Sequence, residues 1–362
     1  MIGALKTNIK LILNSRKRHG RFGRRPIENA VRRKSIFSRR ILFGLVGPLV
    51  FLLLSWFIYL QVMRQPNWRI SLGQVGRSIT GPLSWKLWLA VILMPVNWGI
   101  EARKWQLALR PIGGIRYPDA LRAIFTGTTM ASFTPNRMGE YLGRLLYVKS
   151  GHRIESISLT IVCSMAQLLV TLVFGLVGLL YLRGTLPASI VAQHSAVLWL
   201  NTLLGTVIGL LASLTIIYFR LSWLLRILGK ISALKRFQAY VKVLQNFDAT
   251  LLLRILFLSF GRYLVFIVQY GLVFPVFGVM LTVGQLWGGM SIVFLVMAII
   301  PTFTFLTELG LRWTTSIQVL EIFSANTIGI FAASFAIWLV NLIIPALIGS
   351  LLMLSIKLFK NK

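Results

Sequence analysis

Residues Ile157–Leu182, ISLTIVCSMAQLLVTLVFGLVGLLYL, carry no charged side chain along their whole length. At 1.5 Å per helical residue the run exceeds the ~20 residues that cross a ~30 Å hydrocarbon core. Apolar and polar positions do not alternate, so it is no strand of an outer-membrane barrel. The reading is an all-α, polytopic membrane helix bundle. Whole-chain composition agrees: 56% hydrophobic residues, 13% charged, mean hydropathy +0.77.

Further apolar runs flank this one. Ser195–Phe219 follows across a short loop whose single charge is Arg183. Ile255–Phe277, Leu281–Ile300 and Thr327–Ile356 come later, the last with Pro345 as an expected kink. Leu83–Ile100 and Ile41–Met63 precede it. Seven runs are clear, and Pro301–Phe323 adds a broken eighth crossing if both chain ends share a side. About seven or eight spans are expected.

The charge lies between the spans. Lys and Arg number 39 against 8 acids, a net +31. Thirteen of the basic residues fall in residues 1–40 against one acid, Glu28. Such a block on a soluble protein would suggest nucleic acid. Abutting a span, it reads instead as a cytoplasmic arm on anionic headgroups, too long for a cleavable signal. Three parts follow: the basic arm 1–40, a transmembrane domain 41–356 and a basic tail 357–362. The expected location is the cell's inner membrane, multi-pass, N-terminus cytoplasmic. Residues 64–82 read as an interfacial loop, and 220–248 as a basic amphipathic segment on the cytoplasmic surface. Cys163 is the only cysteine and His19, His152 and His194 are scattered, so no disulfide framework and no metal site is expected.

Just upstream of the opening run lies Thr134-Pro135-Asn136-Arg137-Met138-Gly139-Glu140-Tyr141-Leu142-Gly143-Arg144, with three charges in eight residues. Thr134 and Pro135 read as N-cap and first helical residue. A helix from there puts Arg137, Glu140, Tyr141 and Arg144 on one face, with Glu140 placed to pair with Arg144. Arg137 beside a helix N-terminus suits an anion such as a phosphate. The alternative is that these charges only pair with one another and hold the bundle together. Ala120–Phe133 is too short to cross and return, so with this motif it reads as one limb of a re-entrant hairpin.

A second interrupted segment, Pro301–Trp313, matches the first. Aligning Glu140 with Glu308 also aligns Arg144 with Arg312 and Thr134 with Thr302, while Phe305 stands where Arg137 would. Paired interrupted segments point to a transport site in a protein built from a repeat, here a possible inverted repeat. Pro135, Gly139, Pro301 and Gly310 are the expected structural breaks. Elsewhere, Arg262 inside a span costs roughly 2.5–3.5 kcal/mol to insert, so it is expected to face the interior and meet an acid or an anion. Lipid snorkelling is its rival role. Asn97, Glu101 and Trp105 share one face at the end of the second span. Glu101 reads as an ordinary helix-end charge or as a buried counter-charge.

At these residues the chain resembles the flippase-like transmembrane domain found at the N-terminus of lysylphosphatidylglycerol synthases and as stand-alone proteins. The matching pieces are Asn97 with Arg103 and Trp105, Pro135–Glu140 with Arg144, and Pro301 with Leu309–Arg312. The resemblance covers about Ile41 to Ile356. Members usually carry Gly-Gly-Leu-Gly followed by Arg-Glu, where this chain has Thr307–Trp313. The resemblance implies movement of an anionic lipid between leaflets, either a phospholipid or a polyprenyl-phosphate-linked intermediate. With no aminoacyltransferase domain following, lipid lysylation is not expected.

The expected function is therefore transbilayer lipid transport. Arg137, Glu140, Tyr141, Arg144, Arg312, Glu308, Arg262, Asn97, Glu101 and Arg103 are the candidate substrate-binding residues. No catalytic residue and no cofactor is expected, since there is no nucleophile–base constellation and no phosphate loop for ATP. A lipid-headgroup enzyme, or a non-catalytic partner of a lipid or glycan synthase, is the alternative.

Overall fold

The computed structural model describes residues 80–132, 134, 137–185, 194–220, 248–301 and 305–359, with isolated positions before them. The arm 1–40, the first expected span at 41–63, Pro135, the basic segment 221–247 and the final three tail residues lie outside the described residues. Every regular element among the described residues is helical. In chain order they are α1 (Ser84–Ala108), α2 (Tyr117–Ala131), α3 (Gly139–Leu145), α4 (Arg153–Thr185) and α5 (His194–Phe219). Then come α6 (Ala249–Val276), α7 (Val283–Ile299), α8 (Phe305–Leu320), α9 (Thr327–Trp338), a π-helical segment Leu339–Ile343, and α10 (Ile344–Phe359).

Four stretches are long and apolar enough to cross a membrane: Ser150–Thr185, Val197–Phe219, Ala249–Val276 and Thr327–Met353. Val283–Ile299 is apolar but shorter. This is a multi-pass membrane protein. The apolar run quoted first forms α4, and α5 behind it keeps Leu198, Trp199, Ile208 and Leu210 exposed, as a lipid-facing helix does.

α1 and α6 pack along each other and run antiparallel, because Ala90 meets Gln269 while Asn97, a turn or two further along α1, meets Arg262. Around this pair, α4 packs on α7, and α10 packs on α2. Both contacts are close. A Cβ on Gly175 of α4 would meet Leu295 of α7, and one on Gly349 of α10 would strike the Phe125 carbonyl of α2. Small residues let helix backbones approach where lipid supplies no hydrophobic drive.

α2 and α3 form a helical hairpin on the same principle, since a Cβ on Gly139 would overlap the Met130 carbonyl and one on Gly143 would lie 2.6 Å from the Gly127 Cα. Gly139 is thus a required break. Gly310 is not one: it lies inside α8 with open space around it. α8 runs unbroken from Phe305 to Leu320. Pro345, the expected kink, follows the π-helical segment directly; a proline has no N–H to bond the carbonyl four residues back, which favours the wider turn.

Candidate functional site

The first motif does not start a helix at Thr134. Helix α3 begins at Gly139, and the Thr134 hydroxyl accepts the Gly139 N–H at 2.6 Å. Just before it, Arg137 takes φ 57°, the left-handed region. A non-glycine residue there costs roughly 1–2 kcal/mol and is found where surroundings impose it. Arg137 therefore does not share a helical face with Glu140, Tyr141 and Arg144. Helix α3 has only seven residues, so anion binding here rests on side chains and not on a helix dipole.

The expected intrahelical pairs both form. Glu140 bonds Arg144, and Glu308 meets Arg312 at 3.2 Å. What joins them is Arg137. Its Nε lies 3.8 Å from Glu140 and its Nη1 3.9 Å from Glu308, so the turn of the first motif reaches the helix of the second.

Glu101 is no helix-end surface charge. Its side chain is 5% exposed and meets three cations: Arg144 at 3.1 Å, Arg262 at 2.6 Å and Lys104 at 2.7 Å. A carboxylate withdrawn from water to this degree persists because each oxygen has cationic donors. Arg262 thereby finds the acid it was expected to need; its Nε also donates to Asn97 at 2.9 Å, and its guanidinium lies 5.0 Å from the Trp98 ring centre. Arg312 also donates to the Tyr270 hydroxyl at 3.1 Å.

These pairs form one chain, Lys104–Glu101–Arg144–Glu140–Arg137–Glu308–Arg312, with Arg262 branching from Glu101. Five basic groups face three carboxylates. The chain borders a cavity of about 380 Å³, within the ~300–1,000 Å³ of small-ligand pockets. Glu101, Lys104, Arg137, Glu140, Arg262, Glu308 and Arg312 line it, with Trp98, Phe266 and Phe294 as an aromatic wall and Gln167 from α4. Exposure falls from 37% at the Arg137 side chain, at the mouth, to 2% at Arg144 behind the wall. Several buried polar atoms here have no hydrogen-bond partner among the described residues: Nε and Nη1 of Arg144, Nε of Arg312 and the carbonyl oxygen of Gln167. Of these, Arg312 belongs to the cavity lining and its Nε is a donor, the kind of group that takes up an anionic oxygen, whereas the Gln167 oxygen can only accept.

Two candidates fall outside this assembly. Arg103 is exposed and bonds Gln106 at 2.5 Å, on the far side of α1, and Tyr141 is half-buried without lining the cavity. Pro301 is exposed at the end of α7, and Pro135 is outside the described residues. In exchange, Lys104, Gln167 and Tyr270 were missed. Lys104 had a signal: it stands three residues after Glu101, on its face, whereas Arg103 stands two after and points elsewhere. Among the described residues no group of His, Cys, Asp or Glu is placed to hold a metal ion.

No family model matches the chain, and no curated protein matches it.

Proposed function

We propose that this protein carries the headgroup of an anionic lipid, a phospholipid or a polyprenyl-phosphate-linked intermediate, across the membrane through the charged cavity. The observation that carries the reading is the contact of Arg137 with both Glu140 and Glu308. It brings the Thr134–Arg144 motif and helix α8 onto one cavity lined by four basic groups against three acids. The cavity volume suits a headgroup and leaves acyl chains in the surrounding lipid. The resemblance to flippase-like domains points the same way; the basic residues of 1–40 support a cytoplasmic arm on an inner-membrane bundle, with a lipid or glycan synthase as a candidate partner.

A repeat supports transport over a purely structural role. Ala108 and Val276 end α1 and α6, and Ala131 and Ile299 end α2 and α7, each pair separated by the 168 residues that separate Glu140 from Glu308. Arg153 and Thr327 begin α4 and α9, 174 residues apart, as are Gly175 and Gly349 at the two close helix contacts. The matched helices α1 and α6 run antiparallel, which supports reading the two halves as an inverted repeat. In such proteins substrate sites lie where the halves meet, at interrupted segments.

The test is purified protein in liposomes carrying leaflet-labelled anionic lipid. Wild-type protein accelerates exchange between leaflets, and Arg137→Ala, correctly folded, lowers it by at least tenfold. Unchanged exchange with intact wild-type protein ends the reading for that lipid, and chemical conversion of the lipid replaces it with an enzyme.

A further inference from the structure

Behind the cavity, three buried amides join Arg262 to the backbone of α1. Arg262 Nε donates to the Asn97 oxygen at 2.9 Å, and the Asn97 amide donates to the Asn341 oxygen at 3.4 Å. The Asn341 amide donates to the Gln269 oxygen at 2.9 Å, and the Gln269 amide to the Ala90 carbonyl at 2.8 Å. Arg262 and Gln269 stand seven residues apart on α6, as do Asn97 and Ala90 on α1, so two polar rungs cross the antiparallel pair. Asn341, from the π-helical segment, bonds both rungs. None of the three amides lines the cavity. Polar side chains inside a membrane bundle are costly, and apolar residues of the same size would need no partners there.

The two ends of this chain fix its direction. A guanidinium nitrogen can only donate, and a backbone carbonyl can only accept. Each amide between them has one oxygen and one NH2 group. Every contact is therefore satisfied in a single arrangement, with all three oxygens toward Arg262 and all three nitrogens toward Ala90. Turning any one amide over would set two oxygens face to face on one side of it and two N–H groups on the other. The Ala90 carbonyl thus dictates, through three side chains, that Arg262 meets an oxygen.

We infer that Asn97, Asn341 and Gln269 are positioning residues, a one-way amide chain anchored on α1 that aims Arg262 at the headgroup. The inference rests on the transport reading and deepens it by naming what orients one of the cavity's cations. Glu101 holds Arg262 Nη1 at 2.6 Å, and about one such contact a long side chain can pivot. The bond from Nε, on another edge of the fork, fixes the guanidinium plane against the Trp98 and Phe266 rings, whose centres lie 5.0 and 5.6 Å away. No other side-chain hydrogen bond of Arg262 forms among the described residues, so Nη2 is the corner left for an anionic oxygen. The neutrality of the chain matters too. A carboxylate at position 97 would hold Nε more firmly but would cancel the charge that draws the headgroup.

The experiment reads the purified protein in two ways. In liposomes with rising mole fractions of leaflet-labelled phosphatidylglycerol, Gln269→Met removes the anchor and keeps the side chain's size, about 10 Å along the helix from Arg262. The fraction giving half-maximal exchange rises about fivefold while the maximal rate stays within about twofold of wild type. Asn341→Leu, which breaks the chain at its middle, gives the same rise. A partly misfolded sample would lower the maximal rate instead. In detergent, the unfolding midpoints of wild type, Gln269→Met, Arg262→Met and the double variant form a cycle. The two shifts are non-additive because the chain connects the residues, and they become additive in an Asn341→Leu background. The inference is overturned if both chain variants leave the half-maximal fraction unchanged, if the shifts add in the native background, or if Asn341→Leu does not make them add. If wild-type protein moves no labelled lipid, the transport reading fails for that lipid, and the midpoint cycle still decides whether the chain holds Arg262.

Discussion

Arg137 Nη1 lies 3.9 Å from Glu308 Oε2, and this one long contact is what joins the Thr134–Arg144 motif to helix α8. The pair is partly exposed and loosely held, so it contributes ~0–1 kcal/mol to stability. Arg137→Ala is therefore expected to leave the thermal midpoint in detergent nearly unchanged while removing most lipid exchange. Exchange within twofold of wild type would detach Arg137 from transport.

The backbone at the same residue gives an independent prediction. Arg137 has φ 57°, a conformation that glycine adopts without strain. Arg137→Gly should therefore be more stable than Arg137→Ala by about 1 kcal/mol, read as a higher denaturation midpoint for the glycine variant. Equal midpoints would mean that the turn relaxes when the side chain is removed.

Much of this site was legible in the sequence, but only where the chemistry is local. Glu140–Arg144 and Glu308–Arg312 are four-residue helical pairs, and four residues is a distance a sequence displays directly. Arg262 announced a partner because an unpaired arginine in a span is too costly. The identity of that partner was hidden: Glu101 looked like the end of a helix, yet α1 continues to Ala108 and is covered there by α3 and α6. The choice of Arg103 over Lys104 turned on about 100° of helix rotation, which tertiary packing decides. The left-handed turn at Arg137 was not legible either, since nothing local favours it and the backbone contact of Gly139 with Met130 imposes the course of the chain.

Gly143 and Gly310, one in each motif, should respond oppositely to alanine. A Cβ at Gly143 would lie 2.6–2.7 Å from the backbone of Gly127, so Gly143→Ala must push the hairpin helices apart. Overpacking of this kind costs about 1–3 kcal/mol. Gly310 has nothing within 4 Å and lies inside a helix, so Gly310→Ala should stabilise by roughly 0.5–1 kcal/mol. Denaturation midpoints of the two variants should fall on opposite sides of wild type. A destabilised Gly310→Ala would show that the space beside it is filled in the membrane.

Glu101 is the residue whose loss should be least tolerated. Glu101→Gln keeps the shape but leaves Lys104, Arg144 and Arg262 converging on a neutral group. Breaking a buried ion cluster from one side costs about 3–5 kcal/mol, because the remaining charges stay buried without compensation. If that is the cause, removing one of the cations must return part of the loss. Lys104→Met is the natural choice, since its ammonium is buried and contacts Glu101 on the same helix. The double variant Glu101→Gln/Lys104→Met should then be more stable than Glu101→Gln alone, a coupling that simple loss of packing does not produce. Arg103→Met, one residue away but exposed on the other side of α1, should give no such rescue. Unfolding midpoints of Glu101→Gln alone, with Lys104→Met and with Arg103→Met decide it, and equal rescue by Arg103→Met would mean that overall charge, not the buried cluster, sets the cost.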